Sequence, residues 1–222
     1  AVANNLLGEI YADMYDGVIS LRHFAIAVEY AKKLKHNNRL LILIYSNYTD
    51  ALYNERQYPQ MLKVAQEWEE KLKEHAEKIK KEGKSLSPLT PWYAYCYLTI
   101  ADAQMQMGNY DAANSYLQKV ASTINSQTIR VKSAYYHSIS QFWACKKDYE
   151  KALEYSNMCL KISASIKDAM GMNSLLIDHA YILNSAGRYK EASQLYSNLM
   201  EKRDSLEENY MRNQLNEMSV NY

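Results

Sequence analysis

Three short stretches of this chain carry one pattern at nearly one interval. They are Gly108-Asn109-Tyr110-Asp111-Ala112-Ala113, Lys147-Asp148-Tyr149-Glu150-Lys151-Ala152 and Gly187-Arg188-Tyr189-Lys190-Glu191-Ala192. Gly108 and Lys147 stand 39 residues apart, and Lys147 and Gly187 stand 40 apart. A fixed period in this range marks stacked supersecondary units, none of which buries its apolar face alone. It restricts the chain to a layered array. It also makes a presented surface, rather than chemistry, the expected functional feature.

The 222 residues are 48% hydrophobic and 23% charged, enough for a sizeable core. Gly and Pro are scarce, at six and three. Ala, Leu, Lys, Glu, Gln and Met are abundant, which favours helix. No run of alternating β-branched residues argues for a strand, so the expected class is all-α. A formal net charge of +1 offers no strongly basic face, and no nucleic-acid partner is expected of this chain. The longest apolar run, Leu40 to Tyr45, falls well short of the ~20 residues that span a bilayer, and reads as a buried helical face. The chain starts at Ala1 rather than Met, which fits a processed product or an excised piece.

Each repeated element closes one amphipathic helix and opens the next. Gly108 and Gly187 suit the left-handed geometry that ends a helix. Lys147 takes that place in the middle repeat and is expected to make a poorer stop. The Tyr ring is expected to wedge between the paired helices, and the small Ala three residues on lets them approach. Apolar residues follow at helical spacing, as in Leu117 and Val120, Cys159 and Leu160, and Leu195 and Leu199.

This pattern resembles the tetratricopeptide repeat (TPR) family, whose second-helix signature is a Gly/Asp-Tyr-x-x-Ala core with a downstream aromatic. Tyr45, Tyr97 and Tyr136 fall where that family places its bulky aromatic on the first helix. Ala101 and Ala180 fall at its small position, with Ser140 and Thr49 approximate. The family's closing proline is missing, and the period exceeds its common 34 residues. The resemblance implies a TPR-like α-α superhelix of about five helical hairpins, ending in a long C-terminal helix.

An earlier unit fits loosely. Arg56-Gln57-Tyr58-Pro59 repeats the Tyr element, with first helix Asn38 to Asn54 and second helix Pro59 to Glu82. Within that second helix Glu67/Lys71, Glu69/Lys73, Glu74/Lys78 and Glu77/Lys81 stand four apart, as on an exposed face. Asn4 to Tyr15 and Val18 to Lys35 are helix-like, although Tyr15-Asp16-Gly17 only hints at the repeat. Gly83 to Pro91 is the clearest break, with Thr90 expected to cap the helix that Pro91 opens. The expected organisation is residues 1–83 as N-terminal hairpins, 84–91 as a linker loop, and 92–222 as three repeats with an extended last helix.

From Tyr189 no Gly or Pro interrupts the chain to Tyr222. One helix of that length reaches about 50 Å. Met211, Leu215, Met218 and Tyr222 follow a 4, 3, 4 spacing, a short heptad seam that allows a homodimer of the intact protein. Packing as a capping helix is the other reading. Arg203-Asp204-Ser205-Leu206, Arg212, Gln214 to Met218 and Tyr222 resemble the end of the repeat region in bacterial membrane sensors. There, TPR repeats lead through one membrane span to a histidine kinase or DNA-binding output domain. The resemblance implies an extracytoplasmic (periplasmic) sensor region with a membrane span downstream, and a last helix that passes a signal through Met211, Leu215, Met218 and Tyr222. The alternative is a cytoplasmic TPR adaptor, or a TPR-containing transcriptional regulator.

In TPR proteins the first helices line a concave groove. Mapping that register places Asp50, Tyr53, Tyr95, Asp102, Met105, Gln106, His137, Gln141, Tyr181 and Asn184 there, flanked by Ser46, Asn54, Leu98, Ala144, Ile177 and Ser185. Aromatic, amide and acidic side chains of this kind suit an extended peptide or protein partner, or a small ligand. Some family members clamp a partner's terminal carboxylate with Lys, Asn and Arg. Ser46, Asp50, Leu98, Asp102, His137 and Gln141 occupy those places, so no clamp is expected. The 21 tyrosines suit such a groove, and equally suit helices half-buried in a thin stack. His23, His36, His75, His137 and His179 form no paired metal motif. Cys96, Cys145 and Cys159 have no metal spacing and read as buried thiols. No nucleophile elbow or phosphate loop is present. The chain is expected to be non-catalytic, without metal or cofactor. Trp92 and Trp143 are expected to fill layers between repeats.

Overall fold

The stack is built from one hairpin design used five times. The computed structural model describes residues 1–33, 38–166 and 169–202, and no strand occurs among them. The helices are α1 (Val2–Asp13), α2 (Gly17–Lys32), α3 (Asn38–Asn54), α4 (Tyr58–Lys81), α5 (Thr90–Gln106), α6 (Tyr110–Ala121), α7 (Ile129–Cys145), α8 (Tyr149–Ser163), α9 (Ala169–Ser185) and α10 (189–202). They pair as α1/α2 through α9/α10. Each helix packs on the next, and α1, α3, α5 and α7 also pack on one another in sequence. The odd-numbered helices therefore line one side of a superhelix and the even-numbered helices the other.

Every hairpin turn closes in the same way. Tyr15, Arg56, Gly108, Lys147 and Gly187 all have positive φ, between 56° and 79°. In each turn the following N–H donates five residues back, as from Asp16 to Tyr11, Asn109 to Gln104 and Asp148 to Trp143. These are Schellman closures, which satisfy the last carbonyls of the first helix. Lys147 therefore stops its helix with the same geometry as the two glycines, contrary to expectation. Its cost is conformational, roughly 1–2 kcal/mol for a side chain in the left-handed region. Replacing Lys147 or Arg56 with Gly should raise stability by about 0.5–1 kcal/mol after the entropy that glycine gains in the unfolded chain. Urea melts followed by circular dichroism read that gain.

A pair of positions twelve apart, both small in four of the five hairpins, lets the two helices meet. Gly8/Ser20, Thr49/Met61, Ala101/Ala113, Ser140/Ala152 and Ala180/Ala192 occupy it in turn. Ser20, Thr49, Ala101, Ala113, Ser140, Ala152, Ala180 and Ala192 are all at most 2% exposed. The Ser20 hydroxyl donates to the Gly8 carbonyl and the Ser140 hydroxyl to the Ala152 carbonyl, both at 2.8 Å. A Cβ on Gly8 would lie 2.8 Å from the Phe24 ring, so the first hairpin needs glycine there.

Three apolar cores follow one another along the stack. The first joins α2, α3, α4 and α5 around Tyr45, Trp68, Leu72 and Ile100. The second joins α5, α6 and α7 around Leu98, Leu117, Val131 and Phe142. The third joins α8, α9 and α10 around Leu153, Ile182 and Ala192, with Trp143 packed against both the second and third. The first core runs across the break at 84–91, because Leu89 and Cys96 belong to it together with Trp68.

Several local expectations are corrected. Thr90 does not cap α5. It lies inside the helix, which follows directly on a 3-10 turn at Ser87–Leu89. Of the four expected pairs on α4, Glu69–Lys73 forms at 3.1 Å. Glu67 instead reaches Lys32 on α2, and Lys71, Lys73 and Lys80 pair three residues away with Glu74, Glu70 and Glu77. Tyr110 wedges against Phe142 of the next hairpin. Tyr189 is 67% exposed, because no described helix follows α10 to cover it. Cys96 and Cys159 are buried, Cys145 is half-buried, and all three are free thiols. Met211, Leu215, Met218, Tyr222 and His36 lie outside the described residues.

Candidate functional site

The odd-numbered helices repeat every 39 to 52 residues, so equivalent side chains form rows across them. The position just after the small residue holds Asp50 on α3, Asp102 on α5, Gln141 on α7 and Tyr181 on α9. The position three before it holds Ser46, Leu98, His137 and Ile177. Two turns of helix thus deliver polar side chains to one face of three neighbouring helices.

Two cavities open side by side on that face. The first, of about 220 Å³, is walled by Asp50, Tyr53, Thr99, Asp102, Gln106 and Gln141, with Asn54, Met61 and Met105 behind them. The second, of about 340 Å³, runs between α5, α7, α8 and α9 and is lined by Tyr95, Arg130, Ser133, Ser163, Met172 and Leu175, among others. His137 belongs to both walls and joins the cavities into one trough.

The trough is electrostatically tense. The His137 Nε2 lies 2.8 Å from Oδ2 of Asp178. Burial alone would lower the His137 pKa, but the hydrogen bond and charge of Asp178, with the charge of Asp102, outweigh it and raise the pKa. The Ser138 hydroxyl donates to Asp102 at 3.3 Å. Burial lifts the Asp102 carboxyl to about 6 against the partial relief from His137 and Ser138. Solvent reaches Asp50, yet the concave wall strips much of its hydration, and with the charge of Asp102 raises its pKa to about 7. The side chain of Gln106 contacts the Tyr53 hydroxyl at 3.5 Å.

A pH dependence follows. Asp50 and Asp102 bind protons more tightly folded than unfolded, where an Asp titrates near ~3.9. Their contribution is present below that value and is lost as pH rises toward about 7 and about 6. His137, with its raised pKa, pulls the same way. The melting temperature should therefore fall from pH 5 to pH 8, and Asp50→Asn with Asp102→Asn should flatten that slope in a calorimetric pH series.

Seven of the ten sequence-derived groove residues, namely Asp50, Tyr53, Asp102, Met105, Gln106, His137 and Gln141, stand around the first cavity. Tyr95 lines the second. Tyr181 and Asn184 are exposed on α9 and line neither cavity. Met105 reaches the cavity from the core, at 2% exposure. Leu98, expected on the groove face, is 4% exposed and belongs to the second core with Tyr135 and Ile139 of α7. Asp178, Met61 and Thr99 escaped the sequence reading. Asp178 and Thr99 belong to a row (Asn47, Thr99, Ser138, Asp178) that is polar in all four helices, and that constancy is its signal. Met61 stands where the other hairpins carry Ser20, Ala113, Ala152 and Ala192, and its longer side chain reaches the cavity. Among the described residues no group of His, Cys, Asp and Glu is placed to hold a metal, and no helix is long and apolar enough to cross a membrane.

No family model matches the sequence, and a search of curated proteins finds no match. Solved structures do. A putative kinesin light chain of Podosopora anserina, with nearly identical TPR-like repeats, aligns over 93% of this chain and 95% of its own, at 15% identity and TM-score 0.55. A Rap protein complexed with competence and sporulation factor aligns over 93% of this chain at 13% identity and TM-score 0.72. The chain spans about half of that protein, 54%. PlcR of Bacillus thuringiensis, in complex with the peptide PapR7 and DNA, aligns over 95% of this chain and 71% of its own, at 12% identity and TM-score 0.64. These likenesses establish the fold as a TPR-like α-α superhelix.

Proposed function

We propose that this chain is a non-catalytic binding module that receives an extended peptide or a peptide segment of a protein along the concave trough. The observation that carries this reading is the pair of cavities joined at His137, the first walled by a row of side chains from α3, α5 and α7 and the second running between α5, α7, α8 and α9. A peptide presents side chains at regular intervals, and a trough with repeated polar and aromatic stations suits it better than a closed small-molecule pocket. A structure of the same fold, the PlcR complex, contains a peptide, which favours this ligand class.

The finer reading is a sensor region. The wording from Arg203 to Tyr222 resembles the membrane-proximal end of bacterial sensors, and this supports an extracytoplasmic module that signals through its last helix to a histidine kinase domain. A TPR-containing transcriptional regulator is the second reading, favoured by the PlcR complex with both peptide and DNA. The codons beyond Tyr222 distinguish them: a membrane span with kinase motifs supports the first, and a helix-turn-helix without a span supports the second.

The groove is tested directly. A dodecamer selected from a random peptide library on the purified chain should lose at least tenfold in affinity against the variant Tyr95→Ala, Gln106→Ala, Gln141→Ala. Tenfold corresponds to about 1.4 kcal/mol. Calorimetric titration reads the loss. Equal affinity in a variant with an unchanged melt would remove the trough from the account.

A further inference from the structure

The two cavities of the trough carry opposite charge. Asp50 and Asp102 wall the first, and among the described residues no Lys or Arg does. Arg130 lines the second, and among the described residues no Asp or Glu does. His137 stands between them, with its Nε2 already held by Asp178 at 2.8 Å. No ion pair among the described residues uses Asp50, Asp102 or Arg130. Helix dipoles do not set this polarity. Each odd-numbered helix is paired with an antiparallel even-numbered one, whose dipole opposes it. The side chains decide it.

The first cavity also limits which cation fits. Among the described residues no group of His, Cys, Asp and Glu is placed to hold a metal ion, which leaves an organic cation. The volume of about 220 Å³ admits one side chain, since a void of ~150 Å³ already admits benzene. Tyr53, Gln106 and Gln141 stand around the carboxylates, and their oxygens can accept from an ammonium or a guanidinium. The charge of Asp102 raises the pKa of Asp50, so the two carboxylates repel one another. A cation in the cavity relieves that repulsion.

We propose that the trough takes its peptide in one polarity, with a cationic group in the first cavity and a carboxylate against Arg130 in the second. The inference rests on the trough as the binding site and adds the charge pattern of its ligand. Arg130 and Gln141, the latter in the row of Asp50 and Asp102, stand eleven residues apart on α7. That separation is about 16 Å along the helix axis. An extended chain covers it in about five residues, which sets the spacing of the two charged groups in the peptide. A peptide lying the other way would bring its carboxylate to Asp50 and Asp102, a like-charge contact that rejects the reversed orientation.

The test uses dodecamers selected from a random library on the purified chain, then synthesised with free termini and titrated at pH 8. Removing the cationic group, by acetylating the amino terminus or by changing Lys or Arg of the peptide to Gln, should cost at least tenfold in affinity. Which of these changes costs affinity tells whether a terminal amine or a side chain enters the first cavity. The loss should vanish against the chain variant Asp50→Asn, Asp102→Asn, as a double-mutant cycle requires of a direct partner. It should persist against Arg130→Gln. Removing the peptide carboxylate, by amidation or by changing Asp or Glu to its amide, should show the opposite pattern. Arg130 is exposed, so Arg130→Gln tests one end even if the Asp variant melts early. Peptides that lose affinity against Tyr95→Ala, Gln106→Ala, Gln141→Ala but lack the charge coupling at either end overturn the polarity and leave the trough standing. Peptides indifferent to all three chain variants overturn the trough as well.

Discussion

Truncating Trp68 to Ala should lower the unfolding free energy by about 3–5 kcal/mol. Trp68 is fully buried in the first core and bridges α2, α3, α4 and α5. Its removal leaves a void that four helices cannot close together, and interiors packed near crystal density feel such a void at once. The indole Nε1 has no hydrogen-bond partner among the described residues, so Trp68 contributes through its volume and not through a polar contact. Trp68→Phe keeps most of the ring and removes the orphaned donor. It should therefore lose far less than Trp68→Ala. Urea melts by circular dichroism test the pair, and equal losses would mean that packing at Trp68 is not what holds the N-terminal half. Function is tied to the same core, because α3 and α5 carry Asp50, Tyr53, Asp102 and Gln106 to the trough.

Ala152→Phe should be nearly as damaging, and more local. Ala152 is fully buried between α7 and α8, and its carbonyl accepts the Ser140 hydroxyl. A ring there has no space to enter. Overpacking of this kind costs typically 1–3 kcal/mol, and more where the backbone must part. The displaced element is α7, which bears His137 and Gln141. The 2.8 Å contact between His137 and Asp178 should lengthen, and selected-peptide affinity should fall by more than tenfold. Ala152→Ser should be tolerated, since Ser already serves at the equivalent Ser20. Imidazole proton shifts of His137, compared across the two variants, separate a moved α7 from a general loss of fold.

The repeat was readable where its chemistry was strongest. The third, fourth and fifth hairpins announce themselves through Tyr-x-x-Ala, preceded by Gly108, Lys147 and Gly187 at the left-handed turn, because close helix contacts tolerate few residue types. The first hairpin was obscure, since Tyr15 takes the left-handed turn and Gly17 stands where the others have Tyr. Its clearer mark is the Gly8/Ser20 pair, twelve apart like the other four. The residues of α3, α5 and α7 that line the first cavity follow the register that the TPR resemblance implies, because residues at equivalent helical positions share a face. What spacing could not convey is the twist of the stack. Leu98 holds the same register as His137, yet the neighbouring hairpin covers one and leaves the other open. Tyr181 shares the row of Asp102, yet α9 carries it clear of both cavities. The ion pairs of α4 differ from local spacing for a related reason: Glu67 meets Lys32 of another helix, a partner that no local spacing reveals.

The concave trough is the proposed place where a partner binds. Two-dimensional NMR of the labelled chain, titrated with a library-selected dodecamer, tests this most directly. The predicted result is a set of shifts at Tyr53, Thr99, Gln106, His137 and Gln141, with α4, α6 and α8 unmoved on their outer faces. Shifts confined to those outer faces, with the His137 imidazole unchanged, would contradict it.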